Sequence, residues 1–245
     1  LIEDSVCVDA VTPSPNHGDR RGRAIDALIL HYTGMSSGER ALARLRDPAS
    51  DVSCHYFVWD DGRIAQLVPE ARRAWHAGRS FWAGETDMNA VSIGVEIVNQ
   101  GHDGGCPPYP EAQIAAVITL CQDIFTRHAI PAARVLAHSD IAPGRKIDPG
   151  EWFPWERLAA AGVGLWVEPA PIVDGPVLRL GDAGDAVTAL QGALARIGYD
   201  VPVSGLYCDA TATVVSAFQR HWRPARVDGV ADESTRRVLE QLTSV

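Results

Sequence analysis

The sequence predicts an α/β domain, a mixed β-sheet with flanking helices, followed by a small all-α domain of three helices. Three observations predict it. Residues 1–165 interleave short apolar or alternating segments with one long helical pattern, the signature of sheet and helix packed in layers. A proline-bearing stretch, Glu168-Pro169-Ala170-Pro171 to Gly175, then reads as a linker, placed at 166–176. Beyond it, residues 177–245 carry only short helical patterns. A chain of 245 residues accommodates both units.

Taken in order, residues 1–23 hold Pro13, Pro15, Gly18 and Gly22 among polar residues and read as an irregular leader that packs on the domain or frays. Residues 24–31 (AIDALILH) form a buried strand. Residues 54–59 and 63–68 flank Asp60-Asp61-Gly62, a hairpin signal. Residues 91–98 alternate, with Val91, Ile93, Val95 and Ile97 on one face and Ser92, Gly94, Glu96 and Val98 on the other. Ile114, Val117, Ile118, Cys121 and Ile124 place a helix over 110–128, and a short strand follows at 134–138. In the C-terminal part, Val187, Leu190, Leu194 and Ile197 mark a helix that Gly198 ends. Residues 209–222 and 232–242 give two more, with Asp209 and Asp232 as expected N-caps.

The formal net charge of −9 disfavours nucleic acid as a partner, because phosphate binding needs clustered cations. Residues 1–174 carry 15 basic and 23 acidic residues, net −8, whereas the remainder carries 7 and 8, net −1. No run of about 18 apolar residues predicts a membrane span. The chain starts at Leu1 and its first residues lack signal-peptide features, so the sequence is silent on export. Cys7, Cys54, Cys106, Cys121 and Cys208 are scattered and odd in number, which argues against a disulfide framework and for thiols that are mostly buried. Of the 22 basic residues, 21 are Arg; the one lysine is Lys146.

Chemistry concentrates at strand ends. His31 ends the first apolar strand, His138 ends the strand at 134–138, and Asp148 follows ten residues later. Two imidazoles and a carboxylate, with a fourth position left for water, make a normal catalytic zinc set. The alternative is that each histidine is a satisfied polar residue and Asp148-Pro149 an ordinary turn. Glu96 sits within a strongly apolar strand, where an unpaired carboxylate is costly. It either faces solvent, pairs with an arginine, or is a buried general base. Lys146, two residues before Asp148, is either a surviving surface lysine or a fixed cation for a developing oxyanion.

The segments LILHYTG (28–34), SCHYFVWDDGRIAQLVPE (53–70), AWHAG (74–78), NAVSIGVEIVNQG (89–101), LAHSDIAPGRKIDPG (136–150) and FPW (153–155) resemble the zinc-dependent N-acetylmuramoyl-L-alanine amidases, a family that also includes the peptidoglycan recognition proteins. The resemblance runs from about residue 13 to 165. It implies one zinc ion per chain held by His31, His138 and Asp148, Glu96 as general base, and Lys146 polarising the scissile carbonyl. It further implies that Trp75, His76 and Asn99 contact substrate, that Trp82 packs on sugar or peptide or else in the core, and that His55 is structural. His17, His102, His128 and His221 match nothing and read as surface residues.

Residues 177–242 resemble the short three-helix peptidoglycan-binding module, through Leu178-Arg179-Leu180-Gly181, Leu190-Gln191, Gly198-Tyr199, Gly205, Phe218-Gln219 and Asp228-Gly229. The block from Trp222 to Val227 departs from the usual short turn. Together the resemblances imply hydrolysis of the amide between N-acetylmuramic acid, or its 1,6-anhydro form, and L-alanine of the stem peptide. The implied partners are peptidoglycan or muropeptide, the chain being a monomer in the periplasm or cell envelope, with the cytoplasm open. A module tethered to polymer would raise the effective substrate concentration. The alternatives are a non-catalytic peptidoglycan-binding or sensing protein and a zinc endopeptidase acting within the stem peptide.

Overall fold

The computed structural model describes residues 3–244. The chain order is β1 (Ala10–Val11), β2 (His17–Asp19), β3 (Ala27–Tyr32), α1 (Gly38–Arg46), β4 (Tyr56–Val58), β5 (Ile64–Gln66), β6 (Arg72–Ala74), α2 (Met88–Val91), β7 (Ser92–Ile97), α3 (Glu111–Arg127), β8 (Val135–Ala137), α4 (His138–Ile141) and α5 (Trp155–Ala160). The helical part follows as α6 (Asp185–Ile197), α7 (Asp209–Trp222) and α8 (Glu233–Leu242). Six strands form one sheet in the order β1-β5-β4-β7-β3-β8, and β2 pairs with β6 in a second. The pairs β4–β7, β7–β3 and β3–β8 are parallel, while β4–β5 is the expected antiparallel hairpin.

The alternation is borne out for Ile93, Val95 and Ile97 of β7 and divides the molecule, whereas Val91, expected on the same face, ends α2 and packs on the opposite side. Ile93, Val95 and Ile97 join Leu28 and Leu30 of β3 on the face covered by α3. Helix α3 presents Ile114, Val117, Leu120, Cys121 and Ile124, all essentially inaccessible. Each such aliphatic side chain contributes about 1.5–3 kcal/mol by leaving water. Glu111 in its first turn and Arg127 in its last suit the helix dipole. The opposite face is covered from two sides. Phe57 and Ala65 pack under α1 through Ala41 and Leu45. Ile29 and Leu136 pack beneath Met88, Trp82 and Ile141. The carboxyl ends of β3, β7 and β8 open between these two covers, which is where an open parallel sheet offers a ligand crevice.

Several expectations are corrected or sharpened. From residue 3 on the leader packs on the domain, one of the two expectations for it, but it is not irregular throughout: β1 extends the main sheet and β2 builds the second one. Arg20 is buried and donates to the carbonyls of Glu70, Ala90 and Ser92, stitching the leader to three segments. Helix α1 has no strong sequence signal because its buried face is only Gly38, Ala41 and Leu45 among arginines, started by Ser37, whose hydroxyl accepts the Arg40 N–H. Asp209 lies inside the first turn of α7 with Cys208 at the cap, whereas Asp232 does cap α8, accepting the Thr235 N–H. Only Cys54 and Cys121 are buried; Cys7 and Cys208 are partly exposed, Cys106 is exposed, and all five are free.

The three expected helices of the C-terminal unit are present, and Gly198 ends α6. The unusual block after Trp222 folds around Arg223, which is fully buried and donates to Thr235 Oγ1 and to the Arg226 carbonyl. The helical unit does not hang on a free tether. One continuous apolar cluster joins Ile29, Trp82, Met88, Leu136 and Ile141 to Leu194, Tyr199, Val214, Phe218 and Trp222. Leu165 and Val167 of the connecting segment pack on the same cluster, and Ser234 donates to the Ala170 carbonyl. Among the described residues, no helix is long and apolar enough to cross a membrane.

Candidate active site

Parallel pairing of β3 with β7 sets His31 beside Glu96. His138 follows β8 immediately, at the first position of α4, and the loop beyond α4 returns Asp148. Three ligand-type atoms then converge. His31 Nδ1 lies 2.9 Å from His138 Nδ1, and Asp148 Oδ2 lies 3.0 Å from each. All three residues are buried.

The hydrogen-bond partners fix the tautomers. His138 donates from Nε2 to the Ala77 carbonyl at 3.1 Å, which leaves Nδ1 as a bare lone pair. His31 donates from Nε2 to His76 Nδ1 at 3.0 Å, His76 donates onward to Ser92 Oγ, and Ser92 donates to the Met88 carbonyl. Two bare nitrogens and a carboxylate oxygen thus point at one spot. Tetrahedral ligands about 2.0–2.1 Å from zinc sit about 3.3 Å apart, so the set fits that ion. Burial and the neighbouring His138 hold the His31 imidazole down to about 4, against the opposing effect of Asp148. Burial pushes Asp148 up, but the charge and hydrogen bonds of His138 and His31 outweigh it and leave the carboxyl below the usual range. His31 and Asp148 therefore favour their ligating, unprotonated forms.

His138 and Asp148 open on a cavity of about 340 Å³ also lined by Tyr32, Trp75, His76, Glu96, Arg145 and Lys146 among others. Glu96 is half-buried on the cavity wall and pairs with no arginine: its Oε2 is buried with no hydrogen-bond partner. Burial, reinforced by Asp148 and opposed by Lys146, raises its pKa well above the ordinary value. The lone lysine of the chain lines the same cavity.

The other expected residues separate by place. Trp75 lines the cavity. His76 lies at its wall, but its ring stands behind His31 as a hydrogen-bond acceptor. Asn99 does not line the cavity; its amide donates to the Pro107 carbonyl and its oxygen accepts the Gly101 N–H, bracing the loop after β7. His55 is structural, fully buried and accepting the Gly94 N–H. Trp82 is buried against Tyr199. His17, His102 and His128 are half-buried, and His221 is buried, which corrects the surface reading.

Sequence reasoning missed two supports. Arg145 donates to the carbonyls of Ala77 and Arg79, steadying the loop that orients His138. Gly94 leaves room for the His76 ring, since a Cβ there would lie 2.3 Å from its Cγ. The adjacency of Arg145 to Lys146 and the lone glycine within an apolar strand were the available signals.

Comparison with known proteins agrees with this architecture. The family described as N-acetylmuramoyl-L-alanine amidase matches residues 21–151, and a peptidoglycan binding domain matches residues 183–239. The chain is 39% identical over 230 residues to the N-acetylmuramoyl-L-alanine amidase AmiD of Escherichia coli, covering 89% of this chain and 82% of that protein. It is 34% identical over 179 residues to the 1,6-anhydro-N-acetylmuramyl-L-alanine amidase AmpD of Enterobacter cloacae, covering 65% of this chain and 94% of that protein. The structure of E. coli AmiD in complex with the substrate anhydro-N-acetylmuramic acid-L-Ala-D-γ-Glu-L-Lys superposes with a TM-score of 0.77 at 37% identity, covering 95% of this chain and 92% of that one. The sheet domain followed by a helical unit is thus shared in sequence and shape with known enzymes, and the chain belongs to the N-acetylmuramoyl-L-alanine amidase family.

Proposed function

We propose that this chain hydrolyses the amide joining N-acetylmuramic acid, or its 1,6-anhydro form, to L-alanine of the peptidoglycan stem peptide, with one zinc ion held by His31, His138 and Asp148. The observation that carries the reading is the convergence of three ligand-type atoms within 3.0 Å of one another beside Glu96, whose Oε2 is buried without a hydrogen-bond partner. Zinc in such a set lowers the pKa of bound water to about 7. Glu96 supplies the base: its raised pKa suits a group that takes a proton from water and returns it to the departing alanine nitrogen. Lys146, on the same cavity wall, places a compact positive charge where the carbonyl oxygen becomes negative.

The remaining residues act around that centre. Trp75 offers an aromatic face to sugar or peptide. His76 acts through His31 by fixing its ring, and Asn99 shapes the rim loop rather than touching substrate. The helical unit holds the enzyme, as a monomer, on wall polymer in the periplasm or cell envelope.

Mass analysis of a defined muropeptide tests the reading. The expected products are a free muramyl carboxylic acid and an intact peptide beginning with L-alanine, formed with zinc and lost with chelator. No product from zinc-loaded protein that still binds the muropeptide would establish a sensor instead. Cleavage inside the peptide would establish an endopeptidase.

A further inference from the structure

Directly behind the metal ligands lies a second polar cluster with a different origin. Asp140 stands in α4, two residues beyond His138, and is completely buried. Its carboxylate accepts three hydrogen bonds. Ala137 N–H donates to Oδ2 at 2.8 Å, His221 Nδ1–H to Oδ2 at 2.6 Å, and Tyr199 O–H to Oδ1 at 2.6 Å. Two of these three donors belong to the helical unit, 59 and 81 residues away in sequence.

The recipient corner is one that cannot hold itself. Helix α4 is four residues long, shorter than a helix can sustain on its own hydrogen bonds. Yet this corner carries His138 and also grips Asp148, because Ser139 N–H donates to the Asp148 carbonyl at 3.1 Å. Two of the three ligands thus depend on its orientation. The donors, by contrast, are rigidly placed. The His221 ring is stacked between Trp155 of the sheet domain, at 3.8 Å, and Trp222 of α7, at 3.9 Å. Its Nε2 has no partner, so Asp140 is the only polar group the ring serves. Tyr199 is held edge-on to Trp82 at 4.9 Å, and Ala83 N–H donates to the Gly198 carbonyl beside it. Gly198 permits this approach, since a Cβ there would lie 2.6 Å from the Trp82 ring.

We propose that the helical unit is a structural part of the metal centre: Tyr199 and His221 grip Asp140 and thereby position His138 and Asp148. They are positioning residues, and the unit that holds polymer also completes the site. The inference rests on reading His31, His138 and Asp148 as zinc ligands. Outer partners of metal ligands typically govern about 10–100-fold in metal affinity or activity.

The test uses the full chain carrying Tyr199→Phe and His221→Phe together, which keeps the aromatic packing and removes both donors. Zinc affinity is measured by chelator competition on apo-protein, alongside kcat, KM and Tm. The expected result is a zinc Kd raised by about 10-fold or more and a lowered kcat, with KM for a soluble muropeptide within about twofold of the parent. His221→Asn, whose amide N–H can take the place of Nδ1–H, should recover most of the affinity. Thr235→Val is the control: it breaks the Arg223–Thr235–Asp232 network inside the helical unit, away from Asp140. It should lower Tm and leave zinc affinity unchanged. A double variant with parental zinc affinity, or a Thr235→Val variant that loses zinc as severely, would overturn the proposal. If the double variant does not fold, Tyr199→Phe alone must show a smaller shift in the same direction, and no shift overturns it. A parent chain that fails to bind zinc would instead remove the metal reading beneath it.

Discussion

Two polar clusters meet at His138, and they are built on opposite rules. On the cavity side, His31, His138 and Asp148 aim lone pairs at one point, and Glu96 Oε2 has no partner. On the far side, Asp140 has a donor for each demand of its carboxylate. Leaving a buried acceptor unmet costs about 1–3 kcal/mol. The cavity cluster carries that cost at Glu96 and keeps its groups free for chemistry; the Asp140 carboxylate avoids it and gains rigidity. The comparison predicts that cavity variants lose turnover without losing stability, and that variants of satisfied clusters do the reverse unless they touch a ligand.

The largest effect should come from Glu96→Gln. Removing a general base costs about 10²–10⁴-fold in rate. Steady-state turnover of a soluble muropeptide should fall by that factor, while bound zinc stays at one per chain and Tm does not drop. A large fall in Tm would mean that Glu96 belongs with the satisfied groups. Lys146→Arg comes next. It keeps the charge but replaces a point donor by a planar fork. Loss of a well-placed oxyanion donor costs about 10²–10³-fold, so the conserved charge should hold the loss nearer to tenfold. A parental kcat would place Lys146 outside the mechanism.

Gly94→Ala sharpens the boundary between the clusters. The new Cβ would overlap the His76 ring at 2.3 Å, so the ring must leave its position behind His31. His31 would lose the partner that fixes its tautomer. The expected loss is about 10-fold in zinc affinity, read by chelator competition, with a parallel fall in activity. Unchanged affinity would show that His31 is oriented by its strand alone.

What was legible in the sequence follows the same division. His31 and His138 stood out at strand ends and Glu96 within an apolar strand, and it was the family resemblance that joined them with Lys146 and Asp148 into one proposed site. The strands around them were legible from alternation, as in β7. The satisfied clusters were not. His221 is the last-turn histidine of an amphipathic helix, and nothing within that helix shows that Asp140 lies 81 residues away against it. Arg20 in a polar leader hides in the same way, since its partners are backbone carbonyls and carry no residue signature. Asn99, a polar residue in a matched block expected to contact substrate, lies off the cavity lining and braces a loop through backbone partners that carry no residue signature.

Glu70 supplies the final and smallest effect on turnover, as a satisfied cluster remote from any ligand. Its buried carboxylate accepts from Tyr56 Oη at 2.5 Å, Arg127 at 2.8 Å and His128 Nε2 at 2.7 Å, joining the sheet to the end of α3. Burial pushes its pKa up, but these hydrogen bonds from Arg127, Tyr56 and His128 prevail and hold it at about 2, against 4.5 for a free side chain. Because the folded value is depressed, the stabilisation is fully present above about 4.5 and is lost as pH falls toward about 2. At roughly 1.4 kcal/mol per pKa unit, it is worth up to about 3 kcal/mol. Urea midpoints for the parent and Glu70→Gln should therefore differ clearly at pH 6 and converge as pH approaches 2, while kcat at neutral pH stays parental. A stability difference independent of pH would show that the carboxylate charge contributes nothing, and a lowered kcat would break the separation between groups kept free for chemistry and groups satisfied for structure.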